Sequence, residues 1–389
     1  MEPWRYRAKS RLITIVGLTM PYTPLVTVKH RIALGQALPF NVLDASHALM
    51  LAKGQVVQTA HQLELLFQRG ALVDLQELLT PAERIRNAPR EALPGLWRFC
   101  MDDLHKALGH CADEHFPAAL EQASQPVLAL VERDPDLAIF QVMRQEANPL
   151  MQYGMDHALH TGITAALVAR RLGWSDAEQE RAMKVSLTMN VSMFELQGQL
   201  ASQTTPITPE QRQAVLAHPE FSARMLLLAG VTDTDWIKAV LWHHEVQDGS
   251  GYPRGLRDTS DLANLVRQAD IYTTKLSRRA NRQAMAPDEA ARMVFMQDPK
   301  SSMINAIVKE FGLYPPGVFV RLMGGETGVV VQRGGSVKTP IVAVLTDGRG
   351  QPLSSPQRCD TAEPGYGVAA ILGEDPGMGR VSLAQLLAV

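Results

Sequence analysis

The run Trp242-His243-His244-Glu245-Val246-Gln247-Asp248-Gly249-Ser250-Gly251-Tyr252-Pro253-Arg254-Gly255-Leu256 decides how the chain is read. Adjacent histidines point different ways from a regular element, and Asp-Gly followed by Gly-Tyr-Pro interrupts helix and strand alike. Such a run is poor packing material. It reads as a site.

The run resembles the HHExxDGxGYP signature of the HD-GYP family, metal-dependent phosphodiesterases that open the bacterial second messenger cyclic di-GMP. His243, His244, Glu245, Asp248, Gly249, Gly251, Tyr252 and Pro253 occupy its defining positions. The resemblance implies a mainly α protein, with a helical HD-domain bundle between a small N-terminal α/β module and a small C-terminal β appendage.

Bulk composition agrees with a folded, multidomain chain. A single core rarely keeps growing beyond roughly 250 to 300 residues, so 389 residues suggest two or three domains. Hydrophobic residues make up 46% and charged residues 20%, which is not a disordered composition. A net charge of -2 argues against a broad DNA-binding face and leaves room for a local basic pocket. Cys100, Cys111 and Cys359 are too few and too scattered for a disulfide framework or a thiolate zinc site, and a reducing cytoplasm fits them. The apolar run Leu12 to Met20, behind Arg5, Arg7, Lys9 and Arg11, looks like a signal peptide. It is short and lacks a small-residue cleavage site, so it reads as a buried strand. No segment approaches the ~18 uninterrupted apolar residues of a membrane span, and a cytoplasmic location is expected.

The expected domain limits are 1–80 for the N-terminal module, 81–145 for a helical connector, 146–310 for the HD-GYP-like domain and 311–389 for the β appendage. Pro39 to Leu43 and Ala48 to Leu51 read as strands around the turn Asp44-Ala45-Ser46-His47, with Gly54 closing the unit. Thr59 opens a helix with Gln62 completing a capping box, and Gly70 ends it. Leu104, Leu108, Leu120, Val127, Leu130 and Val131 carry helical spacing through the connector. His105, His110 and His115 lie five residues apart and so on different helix faces, which makes them packed or solvated and not a metal set. A long helix is predicted from Tyr153 to Asp176, and another from Thr208, which caps it ahead of Pro209 and Gln211. From about Phe311 the pattern turns to β. Val318 to Leu322, Gly328 to Val331 and Pro340 to Leu345 read as strands separated by glycine pairs and Asp347-Gly348. Gly324-Gly325 is no phosphate loop, because no Gly-Lys-Ser/Thr and helix follow.

What the resemblance implies about ligands is carried over position by position. His157, some fifteen residues before Leu172-Gly173, matches a metal-binding histidine, while His160 reads as structural. Tyr153 stands where some relatives carry an extra metal-binding glutamate. His218, in Leu216-Ala217-His218-Pro219, matches a histidine placed before a second helix, and Asp270 matches the acid of an Ala-Asp-x-Tyr segment. Metal ligands are therefore expected at His157, His218, His243, His244 and Asp270. Arg279 and Arg282 match basic residues that hold the dinucleotide's phosphates, and arginines so spaced also suit a solvated helix face.

One family motif is absent. Where relatives carry His-Asp-x-Gly-Lys, this chain has Met189-Asn190-Val191-Ser192-Met193. Two divalent ions about 4 Å apart repel by on the order of 16 kcal/mol at an effective dielectric of 20, and a bridging carboxylate offsets that repulsion. Neutral Asn190 cannot. Met189 offers a thioether where imidazole suits iron, manganese or zinc better, and Met193 removes a cation. The expectation is a catalytically degenerate HD-GYP protein acting as a ligand sensor or protein-interaction module, with cyclic di-GMP or a diguanylate cyclase-type protein as partner and at most one Fe, Mn or Zn ion. The alternative is an active phosphodiesterase with an altered or single-metal site. The surviving loop, with Arg254 and the Tyr252-Pro253 edge, is expected to contact ligand or partner.

Overall fold

The computed structural model describes residues 22–144, 150–373 and 381–389, so the strand expected at Leu12–Met20 lies outside the described residues. The chain forms two compact units, Met1–Thr80 and Pro81–Val389.

The first unit contains β1 (Tyr22–Pro24), β2 (Val42–Leu43), β3 (Leu49–Leu51), α1 (Ala60–Gln68), β4 (Leu72–Asp74) and the short α2 (Leu75–Leu78). The turn between β2 and β3 is held by one carboxylate: Asp44 accepts from the Ser46 and Ala48 backbone N–H groups and from the Ser46 hydroxyl. Thr59 and Gln62 form the expected capping box, and Gly70 turns the chain with φ +66°. Sequence reading missed β1 and β4, three-residue strands that complete an antiparallel sheet in the order β1-β4-β2-β3. Leu25, Phe40, Val42 and Val73 fill its core.

The second unit is mainly helical. Its elements are α3 (Pro81–Asn87), α4 (Leu93–Gly109), α5 (Phe116–Arg133), α6 (Pro135–Met143), α7 (Leu150–Arg171), α8 (Asp176–Thr188), α9 (Phe194–Ser202), α10 (Pro209–Leu228), α11 (Thr234–Trp242), α12 (Asp261–Leu276), α13 (Pro287–Gln297) and α14 (Ser302–Phe311), then β5 (Phe319–Leu322), β6 (Thr327–Gln332), β7 (Ile341–Thr346), β8 (Pro352–Asp360), β9 (Val368–Leu372) and α15 (Leu383–Leu387). α7 runs through the middle of the core, with Ala158, Leu159, Ile163 and Ala165 to Ala169 buried. Gly162 lets Met183 of α8 approach, since a Cβ there would lie 2.5 Å from the Met183 sulfur.

Two expectations about helix limits change. The helix predicted to reach Asp176 stops at Arg171, because Gly173 takes φ +79° and Ser175 with Glu178 forms a capping box that starts α8. The helix opened by Thr208 does not end before His218-Pro219 but continues to Leu228. A proline removes the N–H that would bond the carbonyl four residues back, here that of Val215. The ring Nδ1 of His218 donates to that carbonyl instead, at 2.5 Å. In the region from 81 to 145, Trp97, Leu104, Leu120 and Leu130 share one core with α7, α8 and α12.

The C-terminal sheet is antiparallel in the order β8-β7-β6-β5-β9. Phe319, Val329, Val331, Ile341 and Ala343 on one face join the helical core, while Val320, Leu322, Val330, Val342 and Val344 cluster on the other. Every residue of β7 is buried, as expected of a central strand covered on both faces. The expected strands match β5, β6 and β7. β8 and β9 were missed; β8 reads Pro-Leu-Ser-Ser-Pro-Gln-Arg, polar and Pro-punctuated, as suits an edge strand.

Candidate metal and ligand site

α11 stops at Trp242, and the chain turns there, with Glu245 N donating to Trp242 O at 2.9 Å. This turn brings His243 and His244 against His218 of α10. One ring nitrogen from each of the three lies within 4.8 Å of the others.

The tautomers follow from the hydrogen bonds. His218 Nδ1 lies 2.5 Å from Val215 O, and His243 Nδ1 lies 2.7 Å from Val240 O. A carbonyl only accepts, so both Nδ1 atoms donate, and in the neutral rings both Nε2 atoms carry lone pairs. Those two Nε2 atoms face each other at 3.1 Å. Lone pairs so placed repel unless a cation lies between them. A proton is a poor choice: burial and the adjacent His243 ring hold His218 down to about 3, and burial also lowers His243 and His244. A transition-metal ion fits better. Nitrogens about 2.05 Å from a tetrahedral ion are about 3.3 Å apart, close to the separation found.

His157 of α7 and Asp270 of α12 meet across the bundle, with Nε2 and Oδ1 2.7 Å apart. Burial works to raise the Asp270 carboxyl, but the His157 hydrogen bond and the surrounding imidazoles hold it well below the usual carboxylate range. The five residues picked as ligands thus fall into a trio and a pair. Asn190 follows the end of α8 and leads into a short turn, Val191–Met193, seated on α10, where Ser192 Oγ bonds His218 O at 3.1 Å and Ser222 Oγ at 2.9 Å. The Asn190 side-chain oxygen is buried without a hydrogen-bond partner. Met189 is fully buried in the apolar core.

Within the loop most side chains hold the backbone. Glu245 is fully buried and accepts from the Arg254 and Leu256 N–H groups, each at 2.8 Å. Exposed Asp248 accepts from Ser250 N, Gly249 takes φ +82°, and a Cβ on Gly251 would lie 2.4 Å from Val246 N. The Tyr252 ring, expected with Pro253 to form a rigid aromatic edge, stacks on His244 with centroids 4.5 Å apart, which shields both rings from water.

The arginines also differ from expectation. Arg279 and Arg282 are not on one helix face. α12 ends at Leu276, and the two residues pair backbone to backbone in a tight turn beyond it. Arg282 donates to Thr274 O at 2.5 Å, tying the turn to the end of α12, while the Arg279 Nε is buried without a partner. Arg254 Nη2 lies 3.7 Å from Glu220 at the surface. Sequence reading missed a further contact, His105 Nε2 with Asp156 Oδ1 at 2.9 Å, both largely buried. Asp156, beside His157, was its only signal.

The HD-domain family model matches residues 140–300. Residues 140–300 are thus similar to HD domains. Cyclic di-GMP phosphodiesterase PA4108 of Pseudomonas aeruginosa is 27% identical over 345 residues, covering 86% of this chain and 80% of that protein. The 3'3'-cGAMP-specific phosphodiesterase 3 of Vibrio cholerae is 26% identical over 170 residues, 42% of this chain and 36% of that protein. The solved structure of Bd1817, an HDG"Y"P protein from Bdellovibrio bacteriovorus, aligns with a TM-score of 0.48 at 15% identity, over 74% of this chain and 97% of that one. The resemblance drawn from the loop agrees with the HD-domain match and with the likeness to PA4108. No described helix is long and apolar enough to cross a membrane.

One buried histidine in the HD domain makes stability depend on pH. Burial holds His160 down to about 4, against the pull of Asp156, whereas in the unfolded chain it titrates near 6.5. The unfolded state therefore binds more protons between those values, and stability is lost as pH falls from about 6.5 to about 4, by on the order of 3 kcal/mol for this residue. Urea unfolding of wild type and His160→Leu at pH 7 and pH 4.5 checks this. The variant should lose distinctly less stability between the two.

Proposed function

We propose that this chain is a cyclic di-GMP signalling protein whose HD site retains ligand-binding parts but not two-metal hydrolysis. The observations that carry the reading are an intact imidazole trio and a neutral Asn190, its side-chain oxygen buried without a partner, in place of the acid the resemblance calls for. His218, His243 and His244 would hold one Fe, Mn or Zn ion with a coordination position to spare. Such an ion acts as a Lewis acid toward a phosphate oxygen. His157 and Asp270 are engaged with each other and so less available to a second ion, and Asn190 offers no charge to offset its repulsion from the first. The buried Nε edge of Arg279 is an unused donor that suits a phosphate. The role that follows is sensing of a cyclic dinucleotide, or presentation of the loop to a protein partner. PA4108 and the cGAMP phosphodiesterase supply the substrate class by their names.

The test is elemental analysis of protein purified and then reloaded with iron or manganese, alongside turnover of cyclic di-GMP and 3'3'-cGAMP. At most one ion per chain is expected, lost in His243→Ala, with cyclic di-GMP bound and not cut. Two firmly held ions together with robust hydrolysis abolished by His243→Ala would establish the phosphodiesterase reading instead.

A further inference from the structure

α10 carries His218 on its inward side, and its outward side is unusually apolar. Leu216, Phe221, Leu227 and Leu228 are all exposed, and Leu228, at 76%, is the most exposed large hydrophobic residue among those described. Several large apolar residues exposed on one side of a helix point to a contact site.

The order of the residues says what covers it. Leu216, Glu220, Arg224 and Leu228 follow one another at four-residue steps, so they form one ridge along the helix surface. All four are exposed. Read in the opposite direction the ridge is Leu, Arg, Glu, Leu, which is its own electrostatic complement. A two-fold axis crossing the helix between Glu220 and Arg224 sets Leu216 against the second copy's Leu228, and Glu220 against the second copy's Arg224. Phe221 lies next to the axis and meets its own mate. An isologous contact requires this self-complementarity, and ridges of four-residue steps from two helices interlock in the commonest helix-packing class.

The geometry points to α10 as a homodimer interface, formed by antiparallel packing of the Leu216-Glu220-Arg224-Leu228 ridge against the same ridge of a second copy. Glu220 is free to take part: its present contact to Arg254 is 3.7 Å long with both side chains more than half exposed, and such pairs contribute little. One helix from each copy covers less area than the roughly 1,600 Å² of a standard interface, so the dimer is reversible and its fraction rises with concentration. The interface lies on the reverse side of the helix that carries His218, and the inference is independent of what the HD site does.

Sedimentation velocity over a dilution series of the full chain tests it. Wild type should pass from monomer to dimer with rising concentration, and Leu228→Glu should stay monomeric. Glu220→Arg and Arg224→Glu should each be monomeric too, because each puts like charges opposite one another. Mixed in equal amounts, these two variants should form a heterodimer, because both cross-axis pairs become opposite in sign. Circular dichroism on each variant separates loss of contact from loss of fold. Wild type that stays monomeric at every concentration, which would assign the ridge to a different protein partner, overturns the proposal. So does a dimer that tolerates the single charge reversals, or a mixture that fails to associate.

Discussion

Glu245→Ala is expected to unfold the loop locally and lower the stability of the whole second unit by roughly 3 to 5 kcal/mol, at about 1.5 to 3 kcal/mol for each hydrogen bond to a charged acceptor. The carboxylate is fully buried and is the acceptor for both Arg254 N and Leu256 N. Water can reach part of this stretch, since Arg254 is exposed and Leu256 half-exposed, which keeps the loss from being larger. Glu245→Gln keeps the shape and one good acceptor, so it should cost about half as much. The readout is thermal unfolding together with iron or manganese content after reloading. Loss of stability with a normal ion content would mean that the loop does not position His243 and His244. Because Glu245 begins two residues after His243, both properties are expected to fall together in the alanine variant and to recover in part in the glutamine variant.

Gly154→Ala is the second large effect, and its sign runs against helix propensity. Alanine in place of glycine inside a helix gains roughly 1 kcal/mol. A Cβ on Gly154, however, would lie 2.7 Å from both the Cα and the carbonyl oxygen of Phe194, where α7 crosses the start of α9. Backbone atoms cannot rotate out of the way, so the helices must part, and overpacking of this kind costs about 1 to 3 kcal/mol and occasionally more. A net loss of about 1 to 2 kcal/mol, toward the upper end of that difference, is expected, because the crossing is backed by Phe194, itself buried in the core. Gly95→Ala in α4 is the control. Nothing lies within 4 Å of its added Cβ, so that change should be neutral or mildly stabilising. Urea unfolding of the two variants side by side decides the point, and equal effects would show that the α7–α9 approach is looser than the distances indicate.

Several features of the chain were legible because they depend on residues close together in sequence. Thr59 with Gln62 and Thr208 with Gln211 cap their helices within one turn, and the Asp44 turn is closed by its own next four residues. The loop from His243 to Pro253 could be recognised whole, because its glycines answer a local need: Gly249 a positive φ, Gly251 a close passage beside Val246. The three central strands of the C-terminal sheet announced themselves as apolar runs between glycine turns, while β8, facing water along most of its length, carried no such pattern.

Tertiary structure alone decided the rest. His157 and Asp270 stand 113 residues apart in sequence, and only the packing of α7 against α12 makes them a pair. Nothing near His105 in sequence forecasts Asp156 as its partner. His218-Pro219 reads locally as a helix end, and the helix continues because the imidazole ring takes over the hydrogen bond that proline cannot make. That substitution also turns His218 Nε2 toward His243. The sequence by itself thus determined which imidazoles were available and that Met189-Asn190 stands where the HD-GYP resemblance places a His-Asp pair. How the imidazoles divide into a trio and a locked pair depended on helix crossings, which short-range rules of propensity and capping do not reach.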